Sequence, residues 1–441
     1  MTLADKVSWR YMARYFALLT YNNWKIIMIT KKTSTIIPIA LACVAITGCK
    51  KVSCDNDILK GEALGIKAVP TSFGAGYSNK FCKYTSVIAK NGKHIGFFAQ
   101  DKISNDQLIR ARSILEFYLT DVPGSLYGSD KTNVANAMAN NEAKLLLLNG
   151  SDDGTNNPTV DGQPLYDTEL VTEGSTAYIN NDYENHRDAA FEEILHLMHD
   201  YGIGTSGPDA APGALPLFTA SIDTARSNAM TNSFWPTQNV DASITQWIAE
   251  LEKEGSLSQE YLASVIDSYY GYWGADTTNQ GGMGGIYIAK NRDEVSTLDP
   301  MGSSVINEFF NPVVTYMARI DSAFQGYFSL TFDVTAPYTH KSQYLVSAQL
   351  TGNFDSNLIG NEYDNFLAGN AGTNNIDGLA GVDTAVFQGK HEEYSVNIIS
   401  GNVLVQDSVS DRNGLVTLNN IELLTFSDKT FEFEAGSLTE K

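Results

Sequence analysis

The stretch AAFEEILHLMHDYG, residues 189–202, is the most informative part of the chain. On a helical wheel with about 100° per residue, Glu192, His196 and His199 fall within roughly 60° of one another, at spacing i, i+4, i+7. Glu193 follows beside them, and apolar side chains fill the opposite side. Gly202 is a residue type that commonly follows the last turn of a helix. The pattern predicts one amphipathic helix with a crowded acidic and imidazole face.

Three interpretations of that face compete. Ligands at i and i+4 are the spacing with which His-Glu-x-x-His holds zinc, and here Glu192 stands at the first histidine position. In this interpretation Glu192, His196 and His199 are metal ligands and Glu193 is the general base, because carboxylate oxygen is also a zinc ligand. A dimetal bundle needs a second Glu-x-x-His motif, which the sequence lacks. A charged face of an ordinary amphipathic helix is the third interpretation.

The surroundings of the motif resemble zincin metallopeptidases, of the gluzincin and lethal-factor-like kind, over about residues 90–310, and the domain is expected to span residues 91–340. Strand, long helix and strands precede the motif helix, as in those enzymes. The resemblance implies an α+β domain and a third, acidic zinc ligand on a later helix. The stretch SQEYLASVIDSYYGYW offers Glu260 and Asp267 seven residues apart, and we prefer Asp267 because tyrosines follow it. Tyr270 is then expected to stabilise an oxyanion.

Apolar periodicity predicts the remaining elements of this domain. We expect strands in KHIGFFAQ (93–100), AKLLLL (143–148) and TELVTEGSTAYI (168–179). A capping box, Ser104 with Gln107, opens a predicted helix over 104–120. Further helices are expected in ITQWIAELEKEG (244–255), SQEYLASVIDSYYGYW (258–273) and GSSVINEFFNPVVTYMARI (302–320).

Three nine-residue units, GNEYDNFLA, GNAGTNNID and GLAGVDTAV, begin at Gly360, Gly369 and Gly378. They resemble the calcium-binding repeats of RTX (hemolysin-type) β-rolls, with a serralysin-type cap after them. The resemblance implies an all-β roll and cap over residues 345–434, with calcium candidates at the sixth place of each unit, Asn365, Asn374 and Asp383. Two of these are asparagines, which lack a carboxylate charge, so calcium affinity is expected to be low.

The N-terminal segment has the features of an export signal. Lys31 and Lys32 precede an apolar run that ends in ITGC, which resembles a lipobox, so residues 1–48 are expected to be removed and Cys49 lipidated. Met28 is an alternative start. The leader, residues 49–90, then holds Cys54 and Cys82, which either form a disulfide or remain thiols. The expected location is the outer membrane or cell surface.

The chain is acidic, with a net charge of -21 over 441 residues, which argues against nucleic acid as a partner. The combined expectation is an exported, membrane-anchored, zinc-dependent peptidase that cleaves peptides or proteins and carries a calcium-binding tail. The alternative is an inactive zincin-like surface protein that binds a partner through its calcium module. The sequence does not indicate an oligomeric state.

Overall fold

The computed structural model describes residues 54–180, 187–207, 210–238, 240–274, 276–277, 279–333, 335, 341–399 and 401–441. The predicted signal segment, the alternative start Met28 and the lipidation candidate Cys49 lie outside the described residues. The chain is mixed α/β: an N-terminal α+β region precedes C-terminal β-sheets. Within the described residues, no helix is both long and apolar enough to cross a membrane.

The N-terminal region contains the α-helices of the described chain. They are α1 Asp55–Gly61, α2 Ala75–Ser78, α3 Asn105–Tyr118, α4 Thr132–Asn140, α5 Thr176–Ile179, α6 Ala190–Met198, α7 Pro216–Thr231, α8 Ala242–Glu254, α9 Leu257–Tyr269, α10 Arg292–Leu298 and α11 Pro300–Phe309. A π-helical turn, His199–Ile203, continues α6 directly.

The strands form three sheets. The first contains β1 Lys67–Ala68, β2 Lys83–Ile88, β3 His94–Ala99, β4 Lys144–Leu148 and β5 Gln163–Tyr166, in that order. The second contains β6 Ala318–Ile320, β8 Ser347–Leu350, β10 Phe366–Ala368, β12 Thr384–Val386, β16 Leu423–Thr425, β17 Thr430–Glu434 and β18 Ser437–Glu440. The third contains β7 Gly326–Ser329, β9 Ser356–Asn361, β11 Thr373–Leu379, β13 Tyr394–Ile399, β14 Asn402–Asp407 and β15 Leu415–Asn419.

The first sheet supports the motif helix, α6. Its strands β3, β4 and β5 run parallel, and all five residues of β4 are buried, as expected for a strand covered on both faces. The predictions of β3, β4, α3, α8 and α9 are confirmed. Ser104 and Gln107 form the predicted reciprocal capping box at the start of α3.

One strand prediction is wrong and a second prediction is half right. The stretch predicted as a strand, 168–179, contains the short helix α5 instead, because Gly174 adopts a left-handed φ of 79° and the Ser175 hydroxyl caps the helix. The helix predicted over 302–320 ends at Phe309, and the same stretch ends in strand β6. Pro312 lies in between and cannot continue a helix.

The C-terminal sheets are coiled. Successive strands from β6 to β12 alternate between the second and third sheets, and neighbours within a sheet pair in parallel. Phe366 pairs with Thr384, and Ile376 with Leu358, so within the repeats one turn of the coil takes 18 residues, or two nine-residue units. The apolar eighth residues of the three units, Leu367, Ile376 and Ala385, are buried inside. Strands β15 and β16 continue the two sheets in parallel with β11 and β12. Antiparallel pairing with β13, β14, β17 and β18 then ends each sheet.

The coil begins at Ala318, earlier than the predicted start of the roll at residue 345, and it packs onto the N-terminal region. Arg319 on β6 pairs with Asp106 on α3 at 2.7 Å, and the Asp321 amide donates to the carbonyl of Glu173 at 2.6 Å. One continuous apolar core runs through both regions. The two parts are therefore one packed body.

Candidate metal centre

Helix α6 is buried on all sides, including its polar face. Glu192, Glu193, His196 and His199 are each at most 3% exposed. A charged helix face that served only solubility would lie in water, so this burial argues against the third interpretation of the sequence. Buried carboxylates and imidazoles need partners of opposite charge, hydrogen bonds or a metal ion.

The structure brings one helix-α9 carboxylate to this face. Ligand atoms of Glu192, His196 and Glu260 all lie within 4.8 Å of one another, and all three residues are buried. His196 Nε2 lies 3.8 Å from Glu260 Oε1. The acidic residue that meets the motif is therefore Glu260, whereas Asp267 was the candidate preferred from the sequence.

The reason is the antiparallel packing of α9 on α6. The end of α9 lies beside the start of α6, where Tyr272 packs on Phe191 at a ring distance of 4.6 Å. Asp267 lies two turns, about 10 Å, further along α9 than Glu260. It is buried near Arg187, and its Oδ1 has no hydrogen-bond partner among the described residues. Burial raises the pKa of Asp267 to about 7, against the opposing effect of Arg187.

Glu193 is oriented from the neighbouring strand. Gln163, the first residue of β5, donates from Nε2 to Glu193 Oε2 at 2.6 Å. The same carboxylate oxygen lies 3.7 Å from His196 Nδ1. Gln163 was not predicted as a site residue, because nothing in its local sequence pattern connects it with α6.

Arg187 is a second site residue that was not predicted. Its guanidinium forms an ion pair with the Glu192 carboxylate and lies 5.6 Å from the centre of the Trp273 ring. The Arg187 side chain is 23% exposed, so this pair lies where the buried cluster meets solvent. Arg187 lies only three residues before α6, so its closeness to Glu192 in the sequence could have suggested this contact.

His199 and Tyr270, both predicted to act at the site, take other positions. The chain changes from α to π geometry at His199, and this residue is not in the group around Glu192. Burial, reinforced by His196, lowers the pKa of His199 to about 3, so its imidazole is neutral at pH 7. Tyr270 packs against Phe117 and Phe191 and donates its hydroxyl hydrogen to the Asn311 carbonyl at 2.8 Å.

A buried ion network fixes the start of α6. Arg110 on α3 donates from Nε to Glu173 at 2.9 Å and from both terminal nitrogens to Asp188 at 3.1 and 2.5 Å. Asp188 also accepts the amide hydrogen of Ala190 at 3.2 Å, at the first turn of α6. This clamp sets the position of the helix, and through it the position of Glu192 and His196.

The donor set fits a divalent cation. Two carboxylates and one imidazole converge in a buried place, and the Glu193 carboxyl group lies beside His196. Zinc accepts such oxygen and nitrogen donors and keeps a fourth position open in catalytic sites. Because two of the three donors are anionic oxygens, the set also suits harder ions such as Mn²⁺.

The residues predicted to bind calcium are buried in the turns of the coil. The side chains of Asn365 and Asn374 are engaged in hydrogen bonds with Asn361 and Asn370, four residues earlier in the same turns. Asp383 differs, because its Oδ2 has no hydrogen-bond partner within the described chain. Burial raises the pKa of Asp383 to about 7. Of the three, only Asp383 offers an uncommitted oxygen to a cation.

In the leader, Cys54 and Cys82 are joined by a disulfide that ties α1 to β2. Comparisons with known proteins add nothing to these observations. No protein-family model matches the chain, and no curated protein is significantly similar to it.

Proposed function

We propose that the protein is a metal-dependent hydrolase that acts on peptide bonds outside the cytoplasm. The observation that carries this proposal is the convergence of Glu192, His196 and Glu260 from two helices, beside a third carboxylate, Glu193, that is held by Gln163. Sites of this composition are built for chemistry more often than for stability, because burying several carboxylates together is unfavourable.

The residues divide into two roles. Glu192, His196 and Glu260 hold the cation, which when bound supplies Lewis acidity toward a carbonyl group. Glu193 accepts a proton from the attacking water and returns it to the leaving amine. Gln163 fixes the direction of the Glu193 carboxylate by donating to Oε2. Zinc is the proposed ion, because the motif resembles the zinc-binding motif His-Glu-x-x-His.

A surface location completes the proposal. The segment over residues 1–48 and Cys49 supports export and lipid anchoring on sequence grounds. The coiled sheets support a resemblance to RTX-type rolls through their turn length of two nine-residue units. The substrate would then be a peptide or protein that reaches the cell surface.

The second candidate function is a non-catalytic binding protein with the same scaffold. The observation that favours it is the ion pair between Arg187 and Glu192. A guanidinium that neutralises one of the three donors competes with a metal ion for that carboxylate. If the pair is retained in solution, the site holds metal weakly and the protein acts by binding alone.

Measurement of metal content and peptidase activity together distinguishes the candidates. The purified protein would be analysed for bound metal and for casein cleavage, beside Glu193→Gln and His196→Ala. The hydrolase proposal expects metal in wild type and in Glu193→Gln, cleavage in wild type only, and loss of both in His196→Ala. Metal without cleavage in wild type contradicts the hydrolase proposal. Inert wild type with little or no metal contradicts the metal centre and supports the binding protein, in which Arg187 stays paired with Glu192.

A further inference from the structure

Two asparagines form a closed pair in the first turn of the repeat region. Asn361 donates its backbone N–H to Oδ1 of Asn365 at 2.8 Å, and Asn365 Nδ2 donates back to Oδ1 of Asn361 at 2.8 Å. Both residues are at most 1% exposed. The two side chains thus bridge the turn, and we call this pair an asparagine clip.

The same clip recurs nine residues later. Asn370 donates its backbone N–H to Asn374 Oδ1 at 2.8 Å, and Asn374 Nδ2 donates to Asn370 Oδ1 at 3.0 Å. Asn374 Nδ2 also donates to the carbonyl of Ser356 at 2.6 Å, one coil turn away. The recurrence at the repeat period shows that the clip belongs to the repeat.

Each clip also holds the neighbouring turn of the coil. Asn361 Nδ2 donates to the Leu345 carbonyl at 2.7 Å, and Asn370 Nδ2 donates to the carbonyls of Thr351 and Phe354, both at 3.0 Å. The Oδ1 atom of Asn370 accepts a further hydrogen bond from the Gly372 amide at 2.9 Å. Every amide group of the clips is therefore engaged with protein.

This arrangement requires amides. A carboxamide donates and accepts at once, whereas a carboxylate only accepts. A calcium ion takes oxygen ligands alone, and here the side-chain oxygens of Asn365 and Asn374 already accept backbone hydrogens. An ion in either turn would also meet the NH₂ groups that close the clips. The donor set at Asn365 and Asn374 does not fit calcium.

The third repeat shows what happens without the clip. Leu379 stands where the first two repeats have Asn361 and Asn370, and its side chain is 47% exposed. Asp383 Oδ1 accepts the Asn365 backbone hydrogen at 2.8 Å, but Oδ2 has no hydrogen-bond partner among the residues described. The third repeat thus has no asparagine at the position of Leu379, and in the same repeat Asp383 Oδ2 lacks a hydrogen bond among the described residues.

We propose that the coil is closed at its first two repeat turns by asparagine clips and folds there without calcium. The side-chain NH₂ groups of Asn365 and Asn374 take the place that a cation would occupy between oxygen ligands. Only the third turn, at Asp383, retains a carboxylate at that place. This inference does not depend on the metal centre at α6.

Hydrogen exchange of the full chain tests the proposal locally. The reference is Asp383→Asn, which removes the last sixth-position carboxylate, and it is compared in EDTA and in millimolar calcium. Asn365→Asp and Asn374→Asp, made in this background, replace one NH₂ by oxygen at unchanged shape. Asn397→Asp adds the same charge at an exposed position of β13 and serves as the matched control.

The proposal expects the segment 356–379 to exchange equally slowly in EDTA and in calcium in the reference. In EDTA the clip variants should exchange about tenfold faster or more, because a buried hydrogen bond is lost and a buried charge gained, and Asn397→Asp should not. Calcium-dependent protection of this segment in the reference would overturn the proposal, as would clip variants that match Asn397→Asp. If Asp383→Asn does not fold, the clip variants are made in the wild-type background and compared with Asn397→Asp in EDTA, where equal exchange rates would again overturn the proposal.

Discussion

At the scale of single residues, the centre differs from a His-Glu-x-x-His zinc site in charge more than in shape. Glu192 occupies the first ligand position of the motif, and Glu260 supplies a second anionic oxygen. Each replacement of a neutral imidazole by a carboxylate lowers the Lewis acidity of a bound ion. The pairing of Arg187 with Glu192 offsets part of that added charge.

Comparison of two acidic variants tests which residue of α9 is the ligand. Glu260→Gln should weaken zinc binding by about 100-fold or more, while Asp267→Asn should weaken it by less than about tenfold, since effects beyond the ligands are smaller. Calorimetric titration of each variant with zinc measures the difference. Equal losses, or a greater loss in Asp267→Asn, would contradict the assignment of Glu260.

The sequence was informative about this site where the contacts are local. Spacing within one helix placed Glu192, Glu193 and His196 correctly on one face. It could not choose between Glu260 and Asp267, because both project from the same face of α9 and only the antiparallel packing of the helices decides. The π turn at His199 was also beyond prediction, since the wheel assumes uniform α geometry.

At the scale of elements, α6 depends on a clamp that reaches it from α3. Arg110 is fully buried and pairs with both Glu173 and Asp188. Burial alone would lower the pKa of Arg110, but the two carboxylates raise it well above its usual value. The start of α6 is therefore held by one cation paired with two carboxylates, and removal of one of these charges leaves the others unbalanced.

Removal of the clamp cation should be costly. Arg110→Met leaves Glu173 and Asp188 without their counter-ion, and we expect a loss of about 3–5 kcal/mol in the free energy of unfolding. Lys429→Met, which breaks the exposed pair with Glu440, should cost less than about 1 kcal/mol. Chemical denaturation measures both, and similar small losses would show that the clamp is unimportant.

Lys131, at the start of α4, gives the protein a pH dependence. Its Nζ donates to the Tyr118 carbonyl at 2.9 Å and lies 4.3 Å from the Phe309 ring centre. Burial lowers the pKa of Lys131 to about 7, with Asp121 opposing. Between that value and the unfolded value of about 10.4, the folded state binds fewer protons, so stability rises with pH.

The variant Lys131→Met isolates this contribution. From pH 7 to 9 the wild type should gain at most about 2 kcal/mol more in free energy of unfolding than Lys131→Met gains. Urea denaturation of both proteins at each pH measures the difference. Parallel pH profiles would show that Lys131 keeps an ordinary pKa.

At the scale of the whole molecule, the coil and the α+β region share one core. Several strands of each region could be predicted from apolar runs, alternation and the repeat period, but the joint between the regions could not. One of its contacts, Arg319 with Asp106, links residues more than 200 positions apart. The coil boundary was also missed, because β6 and β7 precede the recognisable repeats.

Cooperative unfolding follows from the shared core. Scanning calorimetry of the protein should show one main heat-absorption peak, because opening either region exposes apolar surface of the other. Two well-separated peaks, one of them belonging to residues 318–441, would show that the regions are independent. An Arg319→Ala variant should retain one peak at lower temperature.

The proposed function depends on a metal ion that Glu192, His196 and Glu260 hold together. Anomalous X-ray diffraction from crystals grown with zinc, recorded on both sides of the zinc absorption edge, would locate that ion. We expect one strong peak at about 2.0–2.2 Å from a carboxylate oxygen of Glu192, an imidazole nitrogen of His196 and a carboxylate oxygen of Glu260. A zinc-soaked crystal without a peak among these residues, with Arg187 still paired to Glu192, would contradict the metal centre.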